Sequence, residues 1–153
     1  MPAQPDFDPQ TVHRYFAAEC FNKAWEYIDN HNLSAEQDLA MLQTSMTSLW
    51  HWTQREDATP ANLSVGHWQV SRVFALLGQA DNARRFAEAS LTLAQGEGPF
   101  YIGFAYEALA RVEMVAGNRA KMNEYLAKAR EYADQVEDLE DKEALVVDIG
   151  TIE

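Results

Sequence analysis

The sequence contains only one cysteine, Cys20, and no long apolar run. A single cysteine cannot form a disulfide within the chain, so the disulfide-rich class of small secreted domains is excluded. No uninterrupted apolar segment reaches the length that a transmembrane helix needs, and no basic-plus-apolar leader opens the chain. These absences predict a cytoplasmic protein with no membrane partner.

Basic residues are scarce as well. Lysine and arginine together number 12 against 24 aspartate and glutamate residues, which gives a formal net charge of −12. A nucleic-acid-binding protein needs a basic surface to meet phosphate, so we expect no nucleic-acid partner. Much of the acidic excess falls at 134–153, where eight acidic residues stand against one lysine. We interpret that end as a solvated face.

Motifs that carry catalysis or bind metals are also missing. The chain has no HExxH, no CxxC and no pair of histidines four residues apart, the spacings that bring metal ligands together. The glycine-containing turn at 96–99 lacks the lysine of a phosphate-binding loop. Cys20 lies near Phe16 and Phe21, which is typical of a buried, unreactive thiol. We therefore predict no catalytic residue, no metal ligand and no cofactor.

One cluster of aromatic residues and histidines leaves an alternative open. His51 lies between two tryptophans, and His67 is followed by Trp68. With nearby acidic side chains, the two histidines could form a small metal- or ligand-binding enzyme or sensor. The simpler interpretation leaves His51 in solvent and places Trp50 in the core, beside an apolar seam in the second helix. That seam consists of Leu39, Leu42, Met46 and Leu49.

Helical spacing of apolar residues runs along the whole chain, and no segment shows the strict alternation of a strand. Helix starts are marked by a capping residue followed by proline at 8–9 and 59–60, and by a capping box of Ser34 and Gln37. The predicted fold class is all-α, with one domain over 1–153. We divide the domain into antiparallel hairpins at 9–56, 59–95 and 99–136 and a capping helix at 138–150.

Two of these hairpins share a repeated cassette. The run SRVFALLG, which ends at Gly78, returns as ARVEMVAG, which ends at Gly117, with Arg72 and Arg111 at matching positions 39 residues apart. Each copy joins the end of one helix to a glycine that can adopt a left-handed conformation. A repeat of this length indicates stacked helical hairpins that bury their apolar faces against one another.

Within the cassettes, the spacing of small and large residues resembles the tetratricopeptide repeat. That family has a glycine at the hairpin turn and small residues after it, as in Gly78 followed by Ala83, Ala87 and Ser90. The resemblance covers 65–133, and a run that ends at Gly78 is also similar to bacterial proteins of unassigned function. It implies a short α-solenoid whose first helices line a concave groove. The ligand-facing positions that it implies are Val65, Trp68, Arg72 and Ala75 in one hairpin and Phe104, Glu107, Arg111 and Met114 in the next.

Helical geometry favours part of this assignment from the residues alone. At about 100° per residue, Trp68 and Arg72 point away from the apolar side of their helix, as do Glu107 and Arg111. A tryptophan and two arginines on one surface suit a peptide, a partner's C-terminus or a small acidic ligand. We therefore expect a protein- or peptide-binding module in which alanine at both arginines abolishes binding with little loss of melting temperature.

Two plainer interpretations of the same residues stay open. Trp68 packs against the preceding hairpin in one of them. In the other, Glu107 and Arg111 form an ordinary ion pair along their helix, which contributes a few tenths of a kcal/mol.

A structural homo-oligomer is a third functional alternative. Aromatic residues on several sides of one helix, at 100–106, cannot all enter one hairpin core. They pack against neighbouring helices or against a second copy of the chain. The apolar residues near the C-terminus leave the same two outcomes, a cap on the last hairpin or a homodimer contact. They are Val146, Val147, Ile149 and Ile152.

Overall fold

A computed structural model describes residues 3–153, so Met1 and Pro2 of the predicted domain lie outside the described residues. This part of the chain contains seven α-helices and no strand, which confirms the all-α class. None of the helices within 3–153 combines the length and the apolar character required to cross a membrane. The helices are α1 Pro9–Ile28, α2 Ala35–Gln54, α3 Pro60–Leu76, α4 Ala80–Ala94, α5 Pro99–Ala116, α6 Arg119–Asp134 and α7 Leu139–Ile149.

The helix starts follow the capping chemistry of the sequence. The Asp8 carboxylate accepts hydrogen bonds from the first free backbone N–H groups of α1, and proline takes the next position, where no N–H is needed. Ser34 and Gln37 form the predicted capping box at the start of α2. Thr59 and Asn62 form a second, similar box at the start of α3. Each of these three helices therefore begins directly after the capping residue that the sequence indicates.

The two cassette glycines have the same backbone conformation. Gly78 has φ of 73° and Gly117 has φ of 76°, values that cost little for glycine and are strained for other residues. The residue after each glycine donates its N–H to a carbonyl five positions earlier, from Gln79 to Phe74 and from Asn118 to Glu113. The two hairpins therefore share one turn geometry, as the repeated sequence predicts.

Neighbouring helices pack in chain order. The closest pairs are α1 with α2, α3 with α4 and α5 with α6, so each predicted hairpin is a pair of contacting helices. The odd-numbered helices also meet, because α3 contacts both α1 and α5, and α5 contacts α7. Side chains at matching positions of α3 and α5 are therefore brought next to one another.

The seam predicted for α2 is confirmed at Leu42 and Leu49, which pack into the core, and is wrong at its other two residues. Leu39 is 61% exposed, Met46 39% and Trp50 54%. The buried stripe consists instead of Met41, Ser45, Ser48 and Leu49. Two serines can line a buried helix contact because their hydroxyls find backbone acceptors, as Ser48 Oγ does at 2.8 Å from the carbonyl oxygen of Ala17. A pattern that counts only large apolar residues overlooks such positions.

The last helix covers one side of the third hairpin. Leu145, Ile149 and Ile152 are buried against α5 and α6, whereas Val146 and Val147 are exposed. A Cβ added to Gly103 of α5 would lie 2.5 Å from Leu145 Cδ2, so glycine permits this close approach of α7. The apolar residues near the C-terminus are thus divided between a cap and an open surface.

Candidate functional site

Trp68 and Glu107 connect the two cassettes. They occupy matching positions of α3 and α5, and the indole Nε1–H of Trp68 donates to Glu107 Oε2 over 2.8 Å. The carboxylate of Glu107 is completely buried, and Trp68 is 8% exposed. A buried carboxylate needs partners that offset its lost hydration, and the indole supplies one.

The two arginines supply the other partners of Glu107. Arg111 Nε lies 2.9 Å from Glu107 Oε1, and Arg72 Nη1 lies 3.2 Å from the same oxygen. Arg72 also lies 3.8 Å from Asp148 Oδ2 in α7. Arg111 Nη2 donates to the backbone carbonyl of Asp148 at 3.2 Å and to Thr151 Oγ1 at 2.7 Å. We call Trp68, Arg72, Glu107, Arg111 and Asp148 the charged cluster.

Burial dominates the electrostatics of the charged cluster. It lowers the pKa of Arg72, an effect that Glu107 opposes and Arg111 reinforces. It also raises the pKa of Asp148, with Glu107 adding to the rise and the two arginines opposing it. Within 3–153, no buried side-chain nitrogen or oxygen lacks a hydrogen-bond partner. The buried polar atoms of the cluster are therefore satisfied by one another and by the backbone carbonyl of Asp148 and Thr151 Oγ1.

The expectation that these side chains line an open groove is wrong. Glu107 and Arg111 are buried, and the side chain of Arg72 is 12% exposed. The physical reason is α7, whose C-terminal end supplies Asp148 and hydrogen-bonds Arg111. The expected shared surface is present, since the cassettes do bring Trp68 and both arginines together, but that surface is covered.

Both plainer interpretations of these residues hold in part. Trp68 packs against the preceding hairpin, with its ring 5.4 Å from that of Trp25 in α1. Glu107 and Arg111 form the ion pair four residues apart along α5. That pair is buried and shared with α3 and α7 rather than exposed on one helix, so it is a tertiary contact.

Three of the predicted site residues line an apolar cavity. Val65, Trp68 and Phe104 border a partly open space of about 140 Å³ between α3, α4 and α5. The remaining lining residues are Ser64, Ser90, Phe100 and Tyr101. We call this space the apolar cavity. A second hollow of about 130 Å³ adjoins it, because Val65 and Tyr101 line both.

The serines of the apolar cavity present no free hydroxyl to it. Ser64 Oγ donates to the backbone carbonyl of Ser90 at 2.9 Å, and Ser90 Oγ donates to that of Ser64 at 2.9 Å. This reciprocal pair joins α3 to α4 and uses up both hydroxyls. Sequence reasoning missed the serines as lining residues, although Ser90 stands at a small-residue position of the first cassette.

Met114 and Ala75, the remaining predicted positions, do not reach the apolar cavity. Met114 packs against a separate cluster formed by α5, α6 and α7, which includes Met122 and Leu126. Ala75 is buried in the main core. The predicted set is therefore divided among the charged cluster, the apolar cavity and core packing.

The histidines of the alternative site take different partners. His51 Nδ1 lies 2.9 Å from His13 Nδ1 in α1, whereas His67 Nδ1 lies 2.7 Å from the carbonyl oxygen of Leu63. Burial lowers the pKa of His51, and the neighbouring His13 lowers it further. Across 3–153, no group of three or more His, Cys, Asp or Glu side chains is arranged to hold a metal ion.

Two further predictions concern the burial of His51 and Cys20. His51 is half-buried against His13 and Phe16, so the prediction that it is solvated is wrong. Cys20 is half-buried, and burial raises the pKa of its thiol. A raised pKa disfavours the reactive thiolate. The predicted burial of Cys20 is therefore met only in part, and the unreactive thiol stays a prediction.

Comparison with known proteins assigns the chain to no family. No protein-family model matches the chain, and no similar protein is found among the curated proteins or the solved structures. What the chain can bind is therefore inferred from its own side chains. They offer a covered charged cluster and a partly open apolar cavity that meet at Trp68.

Proposed function

We propose that the chain is a tetratricopeptide-like helical-repeat module that binds a peptide segment of a partner protein. The repeated cassettes, their common glycine turns and the mutual contact of odd-numbered helices support a short stacked array. The odd-numbered helices supply most of the lining of the apolar cavity and the second hollow, and Ser90 of α4 and Trp52 of α2 complete it.

The observation that carries the proposal is the partly open apolar cavity. Pockets that receive an aromatic or aliphatic anchor provide most of the affinity at many protein interfaces. The apolar cavity offers aromatic walls from Trp68 and Phe104 on two different helices. The second hollow, bordered by Phe21 and Trp52, gives a neighbouring position for another apolar side chain.

The charged cluster positions the apolar cavity rather than binding the ligand. Glu107, Asp148 and Thr151 already accept hydrogen bonds or ion pairs from Arg72 and Arg111. An acidic ligand would have to displace these partners, so a C-terminal carboxylate or small acid is disfavoured. A neutral or basic segment also suits the net charge of −12.

Selection of peptides from a displayed random dodecapeptide library tests the proposal. We expect enriched sequences with bulky apolar residues, and we expect Val65→Phe to weaken their binding at least tenfold because Val65 lines both hollows. Val147→Phe, on an exposed face of α7, is the matched control. Absence of enrichment, or equal binding by the Val65→Phe protein, would contradict peptide binding at this surface.

A structural homo-oligomer remains a second candidate, because several large apolar side chains are exposed. They belong to α1 and α2 and are Tyr15, Phe16, Met46 and Trp50. Solution molar mass measured over a hundredfold range of concentration tests this candidate, and a constant monomer mass would reject it.

A further inference from the structure

We propose that the apolar cavity takes one uncharged apolar group the size of a benzene ring, carried by a neutral or basic molecule. This inference deepens the proposed function and rests on it for the carrier, which is a side chain of the bound peptide. The chemistry of the occupant itself, an aromatic ring, follows from the volume, the lining and the surrounding charge.

Volume limits the occupant to a single group. The apolar cavity measures about 140 Å³, whereas pockets for whole drug-sized ligands measure about 300–1,000 Å³. A buried apolar cavity of about 150 Å³ in another protein stays free of water and binds benzene. The space between α3, α4 and α5 therefore suits one ring, with the rest of the ligand outside.

The lining rejects polar groups. Both serine hydroxyls are used between Ser64 and Ser90, and the indole N–H of Trp68 is used by Glu107. A hydroxyl or amide that entered next to these groups would lose its hydrogen bonds to water without a replacement from them, which is unfavourable. The occupant is therefore recognised by shape and apolar contact.

The aromatic walls are arranged to receive another ring. Phe104 meets Trp68 edge to face, with centroids 5.1 Å apart and planes at 72°. It also meets Phe100 edge to face, with centroids 5.0 Å apart. Rings set at steep angles leave faces and edges available, and aromatic groups prefer such offset or perpendicular contacts.

Negative charge in a pocket beside the apolar cavity favours a neutral or basic carrier. Phe100 lines both the apolar cavity and a neighbouring surface pocket that carries four acidic residues. These residues are Glu97, Glu137, Asp138 and Asp141. They form no site by themselves, but their negative potential repels a ring that bears a carboxylate and attracts one that bears an ammonium group.

Titration with free ring compounds, followed by NMR of the ¹⁵N-labelled protein, tests the inference. Toluene should shift the indole N–H signal of Trp68 saturably, with that signal assigned from Trp68→Phe. The hydroxylated p-cresol should bind at least fivefold more weakly, and phenethylamine should bind at least threefold more tightly than phenylacetate. No saturable shift with toluene, equal binding of p-cresol, or tighter binding of phenylacetate would overturn the inference.

Variants locate the binding in the apolar cavity. Val65→Phe should weaken toluene binding at least tenfold, whereas Val147→Phe on the exposed face of α7 should leave it unchanged. If Val65→Phe does not fold, magnetisation transfer between toluene and the methyl groups of Val65 in the unaltered protein decides the question. Transfer is expected, and saturable binding without it would overturn the inference.

The ring site and the peptide-binding function can fail independently in these tests. Toluene binding without any selected peptide would retain the ring site and reject the peptide as its carrier. Selected peptides that bind without toluene binding would retain the peptide module and reject the ring site.

Discussion

The surface formed by α3 and α5 has two parts, which differ in the side-chain groups that stay accessible. Towards the C-terminal ends of these helices, the charged cluster is covered by α7, and each of its charges has a partner. Towards the N-terminal ends, the apolar cavity is partly open and its walls are aromatic. Trp68 belongs to both parts, since its N–H is used by the charged cluster while its ring borders the apolar cavity.

This difference separates stabilising groups from binding groups. The conspicuous polar residues, two arginines and a glutamate, are largely buried and bind one another. The less conspicuous apolar positions are the ones that remain accessible. Substitutions should therefore reduce stability most at Glu107 and its hydrogen-bond donors, and reduce binding most in the apolar cavity.

Glu107→Ala should have the largest effect on stability. Both guanidinium groups and the Trp68 indole lose their common acceptor, and removal of one member of a buried ion pair costs about 3–5 kcal/mol. Urea denaturation measures the free energy of unfolding. Glu124→Ala, in an exposed pair with Lys121, is the matched control and should change it little. A loss for Glu107→Ala as small as that of the control would contradict a stabilising role of the charged cluster.

Trp68→Phe should have the next largest effect, because it removes one hydrogen bond to a buried carboxylate. Such a bond to a charged group contributes about 1.5–3 kcal/mol. The same urea denaturation applies, with Trp50→Phe at a 54% exposed position as the control. Equal losses for the two variants would show that the indole N–H of Trp68 does not support Glu107.

A pair of valines compares the closed interior with the open surface directly. Val112 is completely buried, so Val112→Ala should cost about 2 kcal/mol through two lost methyl groups and the cavity that remains. Val65 already borders open space, so Val65→Ala should cost less than half as much. Thermal and urea unfolding of both variants measure the difference. A larger loss at Val65 would indicate that the apolar cavity is closed in solution.

Asp148→Asn should have the smallest effect, visible as a change in pH dependence. The folded-state pKa of Asp148 is raised above its usual 3.8, so its contribution to stability is fully present below that value and is lost as pH rises through the raised pKa. The unaltered protein should therefore lose stability relative to Asp148→Asn as pH increases from 3.8. Urea denaturation at a series of pH values measures this trend. A difference that is constant with pH, or that changes in the opposite direction, would contradict the raised pKa.

Local signals in the sequence predicted the helices well. Capping side chains at Asp8, Ser34 and Thr59 and the left-handed glycines act within one turn of the chain, so their effect can be read without the tertiary structure. The repeat also indicated which side chains would meet. Trp68 and Glu107 lie 39 residues apart, the same spacing as Arg72 and Arg111, and stacked repeats bring matching positions together.

The packing of the helices against one another could not be predicted from the same signals. The sequence does not state where α7 docks, so it could not show that Arg111 is covered by Asp148 and Thr151. The pairing of His51 with His13 depends on how α1 lies on α2. Whether the chain binds peptides, and whether the predicted site residues do so, stays a prediction that the proposed selections test.

The contacts of Asp148 have a consequence for the order of assembly. Two guanidinium groups in α3 and α5 share the single carboxylate of Glu107, and the second carboxylate comes from α7, the last helix. The interior therefore reaches charge balance only when the final helix has docked. Hydrogen exchange should reflect this coupling, because the amides at the C-terminal end of α7 would open together with the centre of the molecule instead of fraying on their own.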